Sequence, residues 1–106
     1  MRRLLSLCLT LSLPATAMSK EHVIVQKDKK FNQDAIEITA GDSIVFRNED
    51  ETAHHLMYKI DGKRESHKQK SGDPDGTAIT QAFSAAGDIT VRCAIHPKMK
   101  LKIKVK

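Results

Sequence analysis

The C-terminal segment of the chain alternates apolar and charged residues without a break. Its apolar positions are Met99, Leu101, Ile103 and Val105, and its lysines are Lys100, Lys102, Lys104 and Lys106. Side chains at every second position lie on one face of a β-strand, whereas a helix would distribute them around its axis. The segment therefore predicts a strand with one face in the core and a lysine face in solvent.

The same period of two recurs along the chain between turn residues such as Gly41-Asp42 and Gly87-Asp88. No segment after residue 17 shows a sustained helical repeat. The predicted strands cover residues 22–25, 35–39, 43–48, 54–60, 77–84, 89–93 and 99–105. This pattern predicts an all-β chain, folded as a small antiparallel sandwich or barrel of about seven to eight strands.

Residues 61–76 interrupt this rhythm. The segment is polar, contains three glycines and a proline, and offers no apolar face. Such a composition is typical of a connection rather than of a buried element. We therefore predict an exposed loop here.

The N-terminal segment, residues 1–17, has the features of a secretory signal peptide. Arg2 and Arg3 precede an apolar run over residues 4–13, and a small-residue ending closes at Ala17. The apolar run is shorter than the roughly 20 residues that a membrane-spanning helix needs. We expect cleavage after Ala17, a single domain over residues 18–106 without a membrane span, and a periplasmic location.

Charge excludes one class of partner. Removal of the signal peptide would leave 16 of the 18 basic residues against 13 acidic ones, so the formal excess falls from +5 to +3. A nucleic-acid-binding domain usually carries a denser basic patch with aromatic residues. We therefore expect no nucleic-acid partner.

One short segment, CAIHPKM at residues 93–99, brings together three residues that bind soft metals. These are Cys93, His96 and Met99, and Cys93 is the only thiol left once the signal peptide is removed. A thiolate, two imidazoles and a weak methionine describe a blue-copper site. The second imidazole must come from elsewhere, and strand parity favours His54 over His55, because His54 shares its face with apolar residues.

Other interpretations of these residues exist. Cys93 could be a buried core cysteine, a nucleophile with His96 as its base, or a ligand of structural zinc, although methionine is a poor zinc ligand. Met99 could simply be a core residue. Three histidines and a further methionine are left over: we interpret His22 and His67 as solvated, and Met57 with His55 as a weaker candidate for an auxiliary copper contact.

Three segments of the chain resemble those of cupredoxins of the plastocyanin and amicyanin type. CAIHPKM, with Pro97 after the histidine, resembles the amicyanin loop most closely, and QKDKKF at residues 26–31 resembles small methylamine-utilisation-like cupredoxins. FRNEDETAHH, residues 46–55, is similar to the family pattern of an aromatic residue, an asparagine and the first copper histidine. The resemblance implies a Greek-key β-sandwich with one type 1 copper ion bound by His54, Cys93, His96 and Met99.

The chain differs from these families at two positions beside His54. His55 stands where an asparagine usually bonds across to the copper-ligand loop, and Ala53 stands where proline is common. Residues next to metal ligands influence rigidity and redox potential. We therefore expect either difference to alter the rigidity, the redox potential or the coordination number of the site.

The functional expectation is electron transfer without turnover of a substrate, so we expect no enzymatic activity. The chain would be a periplasmic monomer that carries single electrons by Cu(I)/Cu(II) cycling between redox partner proteins, whose docking surfaces would be acidic. The resemblance places the electron port at the imidazole edge of His96. A copper carrier or storage protein for Cu(I) is the alternative, and an interaction domain with a vestigial site is a third.

Overall fold

A computed structural model describes residues 19–71 and 77–106, and the predicted signal peptide lies outside these ranges. Within them the regular structure consists of strands. They are β1 (Glu21–Lys27), β2 (Lys30–Phe31), β3 (Ala35–Ile38), β4 (Ser43–Asn48), β5 (His54–Ile60), β6 (Lys63–Gln69), β7 (Ile79–Ala82), β8 (Gly87–Cys93) and β9 (Lys100–Val105). No helix in the described ranges is long and apolar enough to cross a bilayer.

The strands form two sheets that pack face to face. One sheet has the order β2-β1-β4-β7, and the other has the order β3-β9-β8-β5-β6. Alternate residues of each strand point into the core between the sheets, as the period of two predicts. The most deeply buried apolar residues are Ile24, Ile44, Phe46, Leu56, Phe83, Val91, Leu101 and Ile103.

The predicted all-β sandwich is confirmed, but its sheets are mixed rather than antiparallel. β1 pairs with β4 in parallel, and β3 pairs with β9 in parallel. Parallel neighbours need a long crossover. Residues 28–42 provide one, because after β2 the chain leaves the first sheet, adds β3 to the second and returns to β4. Periodicity within a strand carries no information about the direction of its neighbour.

The prediction of an exposed loop over residues 61–76 is wrong for the first half of that segment. Residues 63–69 form β6, an edge strand that pairs with β5 along its whole length. Asp61 and Gly62, both with positive φ, form the two-residue turn between them. The Asp-Gly pair is typical of such a hairpin turn, but β6 contains no apolar residue, so hydrophobic periodicity could not detect the strand. The rest of the prediction, residues 72–76, lies outside the described ranges.

Three strand ends and one short loop meet at the same end of the sandwich. β5 begins at His54, β8 ends at Cys93, and β9 begins immediately after Met99. Cys93 is opposite Leu56 in the sheet, so the end of β8 lies beside the beginning of β5. Pairing of distant segments therefore brings the four predicted ligands to one end of the fold.

Asp42, at the opposite end, anchors the chain just before β4. Its carboxylate accepts hydrogen bonds from His22 Nε2 (2.9 Å) and from the backbone N–H groups of Lys20 (2.9 Å) and Thr39 (3.0 Å). These contacts, the His22 bond first, lower the pKa of Asp42 to about 2. The pKa in the unfolded chain is about 3.9, so the carboxylate stabilises the fold above that pH and loses this effect as the pH falls through 2.

We therefore expect Asp42→Asn to reduce the free energy of unfolding at neutral pH, with a difference from the parent chain that shrinks as the pH falls from about 4 toward 2. Urea unfolding followed by circular dichroism at several pH values measures this difference. Asp88→Asn is the matched control, because Asp88 is an exposed strand residue. A difference of the same size at pH 7 and pH 2.5 would contradict the assignment.

Candidate metal centre

Three potential metal-binding atoms form a compact triangle at the end of the sandwich. Cys93 Sγ lies 3.7 Å from His54 Nδ1 and 3.8 Å from His96 Nδ1, and the two nitrogens are 3.2 Å apart. All three belong to a group of ligand atoms within 4.8 Å of one another. In the described part of the chain this is the one such group of histidine, cysteine and acidic residues. The structure thus brings together three of the four predicted ligands.

Strand parity places Cys93 and His54 in the interior. Cys93 is 2% exposed and His54 is 1% exposed, while His55, the next residue, turns its side chain to the outer face. The prediction that His54 rather than His55 faces the cysteine is therefore confirmed as a matter of position. His55 contributes its backbone instead: its N–H donates to Cys93 Sγ (3.4 Å), and its carbonyl accepts from Ala94 N–H (2.8 Å).

Asp50 orients the His54 ring. Its carboxylate oxygen lies 3.0 Å from His54 Nε2, and because a carboxylate accepts, Nε2 carries the proton. The lone pair of Nδ1 is then directed at Cys93 and His96. Burial lowers the pKa of His54, and the bond to Asp50 opposes this only in part. The ring is therefore held neutral, which is the protonation state that binds metals.

The loop before His54 is fastened by a buried asparagine. Asn48 is fully buried, and its Nδ2 donates to the carbonyls of Thr52 (3.0 Å) and Lys70 (3.2 Å). Its Oδ1 accepts from the N–H of Asp50 (3.0 Å). Asp50 also accepts from the N–H of Lys29 (2.7 Å), which ties the loop to the turn between β1 and β2. Sequence patterns did not identify Asp50, because nothing in an exposed-looking acidic segment indicates which carboxylate meets the ring.

The ligand loop itself closes over four residues. The N–H of Met99 donates to the carbonyl of His96 (2.9 Å), and Met99 is 3% exposed. His96 is half-buried, and its ring meets that of His54 edge-on with centroids 4.9 Å apart. Ile95 beside it is 53% exposed. Met99 thus occupies the buried side of the loop and His96 the side toward solvent.

The remaining histidines take other positions. His55, which replaces the usual asparagine, hydrogen-bonds to the hydroxyl of Ser66 on β6. His22 is half-buried against Asp42, and the ring of half-buried His67 lies 5.8 Å from that of Tyr58. Neither belongs to the group of potential metal-binding atoms, as predicted, but both are less solvated than expected. Both pack against neighbouring strands that were not known from the sequence.

The donors fit a soft or borderline metal ion. Bonds of about 2.0 to 2.3 Å from one centre to nitrogen and sulfur would separate the donors by about 3.3 to 4.0 Å, close to the spacing of Cys93, His54 and His96. A thiolate with imidazoles suits copper or zinc, and the thioether of Met99, buried at the end of the same loop, would favour copper. Cys93 is free of disulfide bonding and buried, so its sulfur is available to a metal and protected from solvent.

Replacing Asp50 by alanine should weaken metal binding without removing a ligand. The His54 ring would lose the group that fixes its tautomer and orientation, and such losses typically cost about 10- to 100-fold in affinity. Competition with a copper chelator measures this change. Glu51→Ala is the matched control, since Glu51 is exposed and next in sequence. Equal affinity of the Asp50→Ala and parent chains would contradict the role.

Comparison with known proteins supports a copper site. A model of copper binding proteins of the plastocyanin/azurin family matches residues 19–106. Among solved structures, amicyanin from Paracoccus versutus (Thiobacillus versutus) is 21% identical with a TM-score of 0.69, covering 89% of this chain and 85% of that chain. A search of curated proteins finds no match.

Two further solved structures extend the comparison. A reduced Cu(I) form of an amicyanin variant at pH 4 is 20% identical with a TM-score of 0.71, covering 87% of this chain and 88% of that one. A novel purple cupredoxin from Nitrosopumilus maritimus is 18% identical with a TM-score of 0.65, covering 80% and 99%. At these identities the structural likeness establishes the fold.

Proposed function

Because this chain belongs to the plastocyanin/azurin family of copper binding proteins, we propose that it is an electron carrier with one type 1 copper ion. The observation that carries the proposal is the triangle of Cys93, His54 and His96, formed by two strand ends and one short loop. Copper bound there would supply a Cu(I)/Cu(II) couple that carries one electron. No substrate is turned over in this role.

His54, Cys93 and His96 are proposed to hold the metal by Nδ1, Sγ and Nδ1, with Met99 as the weak fourth ligand. Asp50 keeps the proton of His54 on Nε2, and the N–H of His55 stabilises negative charge on the sulfur. Burial of Cys93 and Met99 excludes water from the inner side. Each residue is oriented by the protein rather than by the ion.

Rigidity of this arrangement favours rapid electron exchange. Asn48 fastens the loop before His54, and the N–H of Met99 bonds to the carbonyl of His96. A site whose ligands are already held in place rearranges little when the charge of the bound ion changes. Electron exchange then meets a small barrier, since reorganisation contributes little to it.

His96 is proposed as the port for electrons. It is the one ligand of the triangle that reaches the surface, and exposed Ala94, Ile95 and Pro97 surround it. A small apolar patch suits short-lived docking of a redox partner. Lys98, also exposed, would favour partners with acidic surfaces by electrostatic steering.

The signal-peptide pattern supports export, and we propose that a mature monomer over residues 18–106 works in the periplasm after cleavage at Ala17. N-terminal sequencing of the exported protein tests this proposal. Recovery of Arg2 at the N-terminus would contradict cleavage.

The test of function is electrochemical. Protein loaded with Cu(II) should show reversible one-electron voltammetry and retain its metal through repeated cycles. The alternative, a carrier or storage protein for Cu(I), is favoured by the same buried thiolate and thioether. Rapid surrender of Cu(I) to a chelator, together with irreversible cycling, would support that alternative and overturn electron transfer.

A further inference from the structure

The outward face of the five-stranded sheet is strongly cationic. We use the term basic face for seven exposed side chains on strands β5, β6, β8 and β9: Lys59, Arg64, Lys68, Arg92, Lys100, Lys102 and Lys104. The acidic side chains on this outward face are Glu37 and Asp88. Both are opposite Lys104, at the end of β9 far from the metal centre. The two strand residues of this face that flank the metal centre, Arg92 and Lys100, are therefore both cationic, and the acidic residues that border them are Asp34, which lines a cavity with Lys100, and Glu65, which lines one with Arg92.

Neighbouring charges within the fold do little to balance this surface. Among the described residues, no member of the basic face belongs to an ion pair, and Glu37 is paired with Lys106. Half-buried Glu65 is on the other face of β6, with its carboxylate 3.7 Å from His67 Nε2. The positive potential is thus available to a molecule that approaches from solvent.

Strand pairing places cations directly opposite one another on this face. Arg92 is opposite Lys100, and Lys59 is opposite Arg64. Like charges in such cross-strand positions are destabilising. The arrangement therefore does not serve the stability of the sheet, and a role in recognition accounts for it better than a role in folding.

The basic face also adjoins the metal centre. Arg92 immediately precedes Cys93, and Lys100 immediately follows Met99. Met57, 39% exposed, is opposite Arg92 and lies among the cations. A cavity at this place is lined by Met57 and three cations, Lys59, Arg64 and Arg92, and Glu65 also reaches its lining from the edge strand β6. A molecule bound here would contact both charge and an apolar thioether beside two of the proposed ligands.

From these observations we propose that the basic face docks the acidic surface of a protein partner. The proposal rests on the proposed function, in which that partner is a redox protein. Carboxylates on the partner would pair with Arg92, Lys100 and neighbouring cations, and exposed Met57 would supply an apolar contact. No phenylalanine, tyrosine or tryptophan is exposed on this face, whereas surfaces that bind single-stranded nucleic acid usually present such rings for base stacking. Its cations would also repel a second copper ion.

The experiment maps binding by nuclear magnetic resonance on the isotope-labelled Cu(I) protein. The probe is a small acidic c-type cytochrome in its ferrous state, so that no net electron transfer occurs and binding is measured by itself. We expect shifts in the amides of β5, β8 and β9 around Met57, Arg92 and Lys100, which weaken as salt is raised. Shifts confined to residues 94–97, or spread equally over all exposed lysines, would overturn the proposal.

Charge reversal provides the quantitative test. Arg92→Glu with Lys100→Glu should raise the Kd for the acidic cytochrome by roughly tenfold or more at low salt. Lys20→Glu with Lys63→Glu, exposed residues at the opposite end of the sandwich, makes the same change in net charge and should alter the Kd by less than about threefold. Equal effects of the two pairs would mean that net charge alone matters and would overturn the proposal.

Two further measurements distinguish a protein partner from a lipid surface, and a docking defect from damage to the metal centre. Vesicles containing anionic lipid, tested at the same salt, should bind more weakly than the acidic cytochrome, and stronger vesicle binding would overturn the assignment to a protein partner. The copper absorption spectrum of the Arg92→Glu/Lys100→Glu variant should equal that of the parent. If the electron-transfer role is wrong, the parent protein will lack the blue-copper spectrum or reversible voltammetry. If only the docking proposal is wrong, spectrum and voltammetry will be as expected and the Kd values alone will differ from the prediction.

Discussion

Cys93→Ser is expected to abolish the intense visible absorption of the copper-loaded protein. The band of a blue-copper site arises from charge transfer between the thiolate and Cu(II), and a serine hydroxyl cannot supply that donor. Cys93 is the one cysteine in residues 18–106. Its sulfur forms one corner of the triangle with His54 and His96, so no neighbouring thiol can replace it.

Visible and electron paramagnetic resonance spectra during Cu(II) titration measure this effect. The parent chain should give a strong band and narrow hyperfine splitting, and the variant should give neither. Met57→Leu is the matched control, since it removes an exposed sulfur from β5 and should leave both signals intact. A band that survives in Cys93→Ser, or one that disappears in Met57→Leu, would contradict the proposed ligand set.

Phe46→Ala should cause a large loss of stability. Phe46 is fully buried between the sheets, and its ring stacks on that of Tyr58 with centroids 6.3 Å apart. Removing such a ring typically costs about 3–5 kcal/mol, against the roughly 5–15 kcal/mol that stabilises a small domain. We therefore expect a marked drop in the free energy of unfolding and a substantial unfolded fraction at 37 °C.

Urea unfolding of the apo protein followed by circular dichroism measures this loss. Val45→Ala is the control on the same strand, because Val45 points to the other face and is half-buried. It should cost about 1 kcal/mol or less. Similar losses for the two variants would contradict the assignment of Phe46 to the centre of the core.

Tertiary structure also explains how the chain accommodates its departures from related proteins. His55 stands where the resemblance led us to expect an asparagine, and here its backbone N–H reaches Cys93 Sγ and its carbonyl accepts from Ala94 N–H. The side chain turns to Ser66 on β6 instead. The link between these two segments is thus made by the main chain, which any residue other than proline can supply.

The sequence by itself determined most of the strands and the positions of the proposed metal-binding residues. Alternation in residues 99–105 places Leu101 and Ile103 inward because side chains of a strand point to opposite faces, and the same parity selects His54 over His55. Spacing within CAIHPKM allows one tight turn to hold Cys93, His96 and Met99, and the bond from the Met99 N–H to the His96 carbonyl closes that turn. These are local properties, so they can be inferred without knowledge of neighbouring strands.

Only the tertiary structure decided how distant segments meet. Three features depend on which strands become neighbours: the parallel pairing of β1 with β4, the edge strand β6, and the hydrogen bond that Asp50 accepts from His54. The basic face has the same origin, because Arg92 and Lys100 belong to different strands that the sheet places side by side. Which strands pair is set by the packing of the whole core, so the residue pattern along one strand cannot predict it.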